Sequence, residues 1–512
     1  MPDEPAPMTD KRWLGHPRGL ATLFFTEMWE RFSYYGMRVL LVLFMVAAVK
    51  KGGLGFDDKT ATAIYGLYTA AVYLTSLPGG WIADRLLGQQ RSVWYGGIVI
   101  ALGHFTLAIP RHETFYLGLV LIVLGTGLLK PNASTLVGDL YPEGGSRRDA
   151  GFSLYYMGIN LGGFIGPLVC GFLGQKVNWH YGFAAAGVGM VLGLVQYRFT
   201  RGWLGGAGER PRPRHAEPGL QRGFLRRSWL ALAAGLGLLV LFVGLGYAGV
   251  IHYPPVTLAV WSGILILAVG LGFLAWLLLF GGLDLRERKR VIALGILFVV
   301  QSLFWAGYEQ AGSNFNLFAQ RYTQLNVFGW HFPASWFQSE NAMLIFVLAP
   351  FFAWLWVWLG RRKLDPSTPL KFALGMVFIG LGFLVMTGAA WVVVGGSKAL
   401  PTWLALTYLL HTMGELCLSP VGLSVTTKLA PRRYGGRMMG MWFLFLSLGE
   451  LLAGLIAGRF SAKDVDDMPS LYLTIAAVAL GVGVVLALAS GPIQHRLIGT
   501  EPDSEIEYDA AR

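Results

Sequence analysis

Two glutamates and two arginines stand within the stretch Thr26–Arg38, "TEMWERFSYYGMR", flanked by the apolar runs "GLATLFF" and "VLLVLFMVAAV". Carboxylates can take up and release protons, guanidinium groups can hold an anion in a bidentate grip, and tyrosines can do either task's hydrogen bonding. At about 100° per residue, a helix places Glu27, Glu30, Arg31, Tyr34 and Arg38 within an arc of about 100°, one polar stripe on an otherwise apolar rod. A charge at the centre of a membrane helix costs roughly 2.5–3.5 kcal/mol to insert. Four such charges must therefore face a polar interior. Salt bridges that merely hold a bundle together would explain why these groups pair, but not why so many costly groups stand in one apolar segment.

The elements that must position this stripe follow from composition. The chain is 54% hydrophobic and 14% charged, with mean hydropathy +0.52; soluble proteins carry about 25% charged residues. Apolar runs of about 20 residues, each long enough to cross a bilayer core, recur along the sequence. Fourteen spans are expected, near 20–48, 60–86, 92–110, 113–137, 150–174, 180–199, 229–250, 257–280, 291–318, 341–360, 370–394, 401–428, 437–458 and 470–490. The class is an all-α, multi-pass membrane protein in a lipid bilayer. No cleavable signal peptide is visible in residues 1–19. With the N-terminus inside, most of the 41 Lys and Arg fall in cytoplasmic segments. The net charge of +12 thus reports topology, and no nucleic acid partner is expected.

Six spans (20–199) follow the cytoplasmic N-terminus (1–19). A Gly-, Pro- and Arg-rich linker (200–228) leads to a two-span hairpin (229–280), whose spans carry no charge and which is expected at the lipid-facing periphery. A basic cytoplasmic loop (281–290), six further spans (291–490) and a cytoplasmic tail (491–512) complete the chain. This 6 + 2 + 6 pattern resembles the major-facilitator fold, in which substrate lies between two six-helix bundles.

Other spans supply partners for the stripe: Lys130 in the fourth, Glu309 in the ninth, Glu415 in the twelfth and Glu450 in the thirteenth. At about 1.5 Å rise per residue, Arg38 and Glu309 each lie about 18 residues from the inner end of outward-running spans. Lys130 and Glu415 lie roughly 14–17 residues from the outer ends of inward-running ones. Each pair joins the two halves, one above the midplane and one at or below it, as alternating gates require. His104, His411 and Glu450 also lie within spans and are read as packing groups; His411 shares a face with Glu415. The two cysteines, Cys170 and Cys417, are intramembrane, and neither a disulfide framework, a metal site nor a cofactor is expected.

"EMWERFSYYGMR" has the ExxERFxYYG form of the proton-dependent oligopeptide transporter family of the major-facilitator superfamily. The resemblance spans about residues 20–460. It includes "GTGLLKPNASTLVGDLY", "FSLYYMGINLGGFIGPL", "FWAGYEQAGSNFN" and "GELCLSPVGLSVTTKLAP", whereas "GGWIADR" is only a general major-facilitator signal. The inserted hairpin resembles bacterial members. The resemblance implies a proton-coupled symporter that imports di- and tripeptides by alternating access, acting as a monomer in the cytoplasmic (inner) membrane with both termini cytoplasmic.

It further implies that Glu27, Glu30, Arg31 and Glu309 couple protons. Arg31, Tyr35 and Lys130 hold the peptide carboxylate, and Asn160, Asn341 and Glu415 hold its amine. Tyr34, Tyr68, Trp305, Ser419 and Trp442 line side-chain pockets. The pairs Arg38–Glu309 and Lys130–Glu415 match the family's outer and inner gates. Tyr308 stands where some members carry a second acidic residue. A same-fold carrier of nitrate, another small anion or an amphoteric metabolite is the alternative; an anion carrier has no need of the amine-binding Glu415 and Asn160. A membrane enzyme or receptor is remote, since no HExxH, GxSxG or cysteine–histidine set and no signalling domain is visible.

Overall fold

The computed structural model describes residues 13–142, 145–211, 218–459 and 465–499. Over these the chain is a succession of helices: α1 (Arg18–Val46), α2 (Asp58–Leu74), α3 (Ser76–Ile82), α4 (Gln89–Leu107), α5 (His112–Asp139), α6 (Gly145–Phe172), α7 (Trp179–Thr200) and α8 (Pro218–Tyr247). There follow α9 (Pro255–Phe280), α10 (Leu285–Tyr308), α11 (Asn314–Tyr322), α12 (Phe337–Arg361), α13 (Thr368–Val394), α14 (Pro401–Leu429), α15 (Gly435–Ala457) and α16 (Met468–Pro492). Every expected span is helical, with α2–α3 forming the second and α10–α11 the ninth. Ten spans are long and apolar enough to cross a membrane by composition alone. The other four are α1, α2–α3, α4 and α14; α1 falls short because of its own charges. The expected 501–512 acidic tail lies outside the described residues.

The ninth span departs from expectation. The hydropathy pattern over 291–318 predicts one continuous helix, but α10 ends at Tyr308, a 3₁₀ turn covers Glu309–Gly312, and α11 resumes at Asn314. No proline marks the break. Gly312 sits where a Cβ would fall 1.7 Å from the Tyr65 hydroxyl, so the chain bends where only glycine fits. Beyond α11, β1 (Asn326–Val327) pairs antiparallel with β2 (Trp330–His331), Val327 opposite Trp330. Phe328 and Gly329 both take positive φ (51° and 80°), as a two-residue type I′ hairpin turn requires.

The chain divides into two compact units, residues 1–259 with 311–346, and residues 260–310 with 347–512. In the first, α1 packs on α6 and α7 and also meets α2, α5 and α11. Close approach of α1 and α6 depends on small residues: a Cβ at Gly162 would lie 2.1 Å from the Met28 carbonyl, and one at Gly166 2.4 Å from that of Phe32. The 311–346 segment is fastened within this unit. Asn316 donates to the Val39 carbonyl (2.8 Å), and Arg321 grips Asp58 through two 2.7 Å bonds. The inserted α8 touches the unit through Arg85, whose guanidinium lies between Trp81 (5.1 Å) and Phe224 (5.0 Å), and through Tyr247, which donates to the Glu113 carbonyl.

In the second unit α13 packs on α14 and α16, and α10 on α15. The α10–α15 seam carries a ladder of side chains bonded to backbone carbonyls: Gln301 to Trp442 (3.2 Å), Ser302 to Phe445 (2.7 Å) and Gln310 to Ala453 (3.0 Å). Inside a membrane such bonds satisfy polar groups that lipid cannot. Glu450, fully buried, lies on α15 along the same helix. Most of α9 belongs here, with Trp276 edge-on to Tyr434 (6.2 Å) and Tyr434 donating to the Gly281 carbonyl (3.2 Å).

Candidate functional site

The polar stripe on α1 is buried: Glu27, Glu30, Arg31 and Tyr34 are each at most 2% exposed and Arg38 6%. Helical spacing delivers the contacts. Arg31 Nε lies 3.2 Å from Glu27 Oε1, one turn earlier, and also bonds Glu30 Oε2. The two guanidinium groups alternate with the two tyrosines. Arg31 stands 5.0 Å from the Tyr34 ring centre and 5.9 Å from that of Tyr35, and Arg38 5.9 and 5.2 Å from the same rings. A cation over an aromatic face is held by the ring quadrupole, by about 2 kcal/mol or more once desolvated. Tyr34 stacks on Tyr68 of α2 at 6.3 Å. One cluster thus gathers seven residues singled out in the sequence: Glu27, Glu30, Arg31, Tyr34, Tyr35, Arg38 and Tyr68.

Lys130 of α5 is half-buried, its ammonium 4.3 Å from the Tyr73 ring centre. Pro131 follows it inside the helix, and nearby Asn132 donates to the Leu128 carbonyl at 2.7 Å. Asn160 of α6 is buried and donates to the Tyr156 carbonyl at 2.9 Å. Asn341, half-buried near the start of α12, precedes Ala342, whose Cβ approaches Gly163 of α6.

The second unit holds the remaining residues. Glu415 of α14 accepts a 2.5 Å hydrogen bond from Tyr308 at the end of α10. Trp305 meets Tyr308 edge-on at 5.1 Å, and His411 stacks on it at 6.3 Å. Glu309, 3% exposed, opens the 3₁₀ turn. Ser419 is half-buried, and the Trp442 indole lies against α14 where Gly422 leaves room, a Cβ there falling 2.0 Å from the ring. Arg38 and Lys130 belong to the first unit, Glu309 and Glu415 to the second. Cys170 and Cys417 are buried free thiols.

Two tyrosines hold carboxylates in ways that sequence reasoning did not assign. Tyr155 of α6 donates to Glu27 Oε2 at 2.8 Å, and Tyr308 holds Glu415. Each stands among other aromatics, in "FSLYYMGIN" and "FWAGYEQ", and nothing in those strings separates a hydrogen-bonding phenol from a packing ring. Adjacency of Tyr308 to Glu309 was the one available signal. Arranged this way, the α1 cluster can hold a proton on a carboxylate and bind an anionic group on a guanidinium.

A family model described as the POT family matches residues 90–213 and 279–485. A peptide transporter of Yersinia enterocolitica is 42% identical over 502 residues, covering 96% of this chain and 97% of its own length. A di-/tripeptide transporter of Lactococcus lactis is 37% identical over 496 residues, covering 95% and 97%. Among solved structures, a peptide transporter POT in complex with sulfate has TM-score 0.87 at 43% identity, with 94% of this chain and 96% of that one covered. A POT family transporter in complex with 5-aminolevulinic acid has TM-score 0.82 at 33% identity, covering 94% and 98%. Fold and likeness together define a multi-pass membrane transporter of the major-facilitator type, not an enzyme. The chain belongs to the POT family.

Proposed function

We propose that this chain is a proton-coupled symporter importing di- and tripeptides by alternating access. It works as a monomer in the cytoplasmic membrane, with both termini on the cytoplasmic side. The observation that carries this reading is the buried Glu27–Arg31–Glu30 cluster walled by tyrosines, in a chain similar over almost its full length to named peptide transporters. Short peptides differ in side chain but share an ammonium and a carboxylate. Arg31, Tyr35 and Lys130 suit the carboxylate, Asn160, Asn341 and Glu415 the amine, and aromatic walls at Tyr34, Tyr68, Trp305 and Trp442, with Ser419, tolerate varied side chains.

Coupling comes from exchange of partners. Ionised Glu309 pairs with Arg38 and keeps the outer side shut; a proton from outside breaks the pair and admits peptide. The peptide carboxylate then engages Arg31 and Lys130, releasing Glu415 so that the inner side opens. Both ligands bias one two-state equilibrium, the requirement for symport. A membrane potential supplies about 2.3 kcal/mol per charge per 100 mV.

Uptake of labelled dialanine into proteoliposomes, with and without an imposed pH gradient, tests this directly. Accumulation only with the gradient is expected, and equal accumulation without it overturns the proposal. A second reading, transport of amphoteric metabolites, is favoured by the relative solved with 5-aminolevulinic acid, which also bears an amine and a carboxylate. Competition of dialanine uptake by that compound, by free alanine and by nitrate separates the cargo classes.

A further inference from the structure

Glu415, read above as a partner of the peptide's amine, does not hold its carboxylate in place unaided. Tyr308, the last residue of α10, donates to its Oε2 at 2.5 Å. Packing fixes that phenol. Phe304, one turn earlier on α10, stacks on the Tyr308 ring at 5.7 Å with the planes 22° apart, and His411 of α14 stacks on it at 6.3 Å and 29°. Trp305 meets it edge-on at 5.1 Å.

Glycines bring these rings together. A Cβ at Gly382 of α13 would fall 2.5 Å from the His411 ring. One at Gly307, immediately before Tyr308, would fall 2.7 Å from Ile379 of α13. One at Gly414, immediately before Glu415, would fall 2.9 Å from the Gly375 carbonyl and 3.3 Å from the Phe304 ring. At this level α10, α13 and α14 thus approach more closely than larger residues permit, and a ring in so dense a place keeps its rotamer. All of these residues belong to the second unit.

The geometry points to Tyr308 as a positioning residue for substrate recognition: its phenol fixes the Glu415 carboxylate so that it accepts a free primary ammonium and discriminates against an acylated amine. This rests on the amine-binding reading of Glu415 and deepens it, by naming what makes that acid selective. A glutamate side chain turns about three torsions, and ordering it when a ligand arrives weakens binding. With Oε2 tied to a fixed hydroxyl, the side chain is ordered beforehand and its remaining lone pairs point in set directions. An ammonium brings three N–H donors and a full charge to them, whereas an acylated amine brings one N–H and no charge. Removing the phenol leaves the charge of Glu415 in place and takes away only its aim. A packing role, by contrast, needs only the ring, which phenylalanine supplies.

Binding of dialanine and of N-acetyl-dialanine to the purified full-length carrier, followed by microscale thermophoresis, separates aim from packing. Wild type is expected to bind dialanine far more tightly than its acetylated form. Tyr308→Phe is expected to weaken dialanine about tenfold and to leave N-acetyl-dialanine unchanged, so that discrimination falls by the same factor. In proteoliposomes the variant should raise KM for dialanine with kcat retained, as loss of ground-state recognition requires. A double-mutant cycle tests that Tyr308 acts through Glu415: on a Glu415→Gln background, Tyr308→Phe should cost no more than about twofold further. Unchanged affinity for dialanine in Tyr308→Phe overturns the assignment, as does an equal loss for both peptides or the full loss on the Glu415→Gln background. A variant that unfolds for want of one hydroxyl overturns it equally, by assigning the phenol to stability. Wild-type carrier that binds the two peptides alike defeats the amine-binding reading of Glu415 instead, so the two failures are told apart.

Discussion

Helices α1 and α8 are similar in length, 29 and 30 residues, and opposite in every other respect. In α1, 23 of the 29 residues are buried, including four charges. In α8, whose span has mean hydropathy 2.3, none of the apolar window is buried. A soluble protein hides its greasiest helix and exposes its charged one; here the order is reversed because the solvent is lipid. Apolar side chains gain nothing by leaving hydrocarbon, whereas charges gain a great deal. The inward helix is the one made for chemistry. The outward helix is made for its solvent.

The largest way to break this contrast is to unbalance the α1 cluster. Arg31→Ala strands two buried carboxylates, and a loss of about 3–5 kcal/mol is expected, read as a lower Tm in detergent together with abolished dialanine uptake. Arg31→Lys should not restore uptake, since an ammonium lacks the planar fork. Placing a charge on the outward helix is the complementary insult. Leu238→Lys, at a 67% exposed position, should cost roughly 2.5–3.5 kcal/mol in membrane insertion, measured as the inserted fraction on translocation.

Smaller effects sharpen the comparison at single methyl groups. Gly162→Ala drives a Cβ into the Met28 carbonyl and should destabilise by about 1–3 kcal/mol through overpacking of α1 on α6. Gly237→Ala on α8 meets nothing within 4 Å and should leave Tm unchanged or slightly raised. The smallest concerns His16, just before α1, whose ring nitrogen lies 2.8 Å from the Tyr141 hydroxyl. Burial, then the Arg147 charge, hold its pKa below the ordinary value. Because the folded form disfavours the charged ring, its contribution is fully present above about pH 6.5 and declines as pH falls through that value. His16→Asn should flatten that portion of the stability profile, and an unaltered profile would show that the contact carries no pH dependence.

Much of this was legible from the chain. The α1 stripe follows from four charges at helical spacing, and burial of Glu27, Glu30, Arg31 and Arg38 follows from their insertion cost. Helix positions followed from the recurring apolar runs, even for α1, α2–α3, α4 and α14, which fall outside the ten spans apolar enough to cross a membrane by composition alone. The break at Glu309 was not legible. It contains no helix-breaking proline, and the side chain that leaves room only for glycine at Gly312, Tyr65, comes from a distant part of the sequence. Nor could Tyr308 be distinguished from Trp305, the other aromatic donor on that turn, as the partner of Glu415, because both satisfy the same apolar pattern.

Sequence by itself determined that this chain lives in a membrane as a train of helices, and that its first helix turns charges inward. Those are properties of local spacing and solvent, which a single segment carries. Tertiary structure alone decided which phenol meets which carboxylate, Tyr155 with Glu27 and Tyr308 with Glu415. A hydrogen bond is won or lost within a few tenths of an ångström, and for the first pair that distance is set by how closely α6 approaches α1 over Gly162 and Gly166.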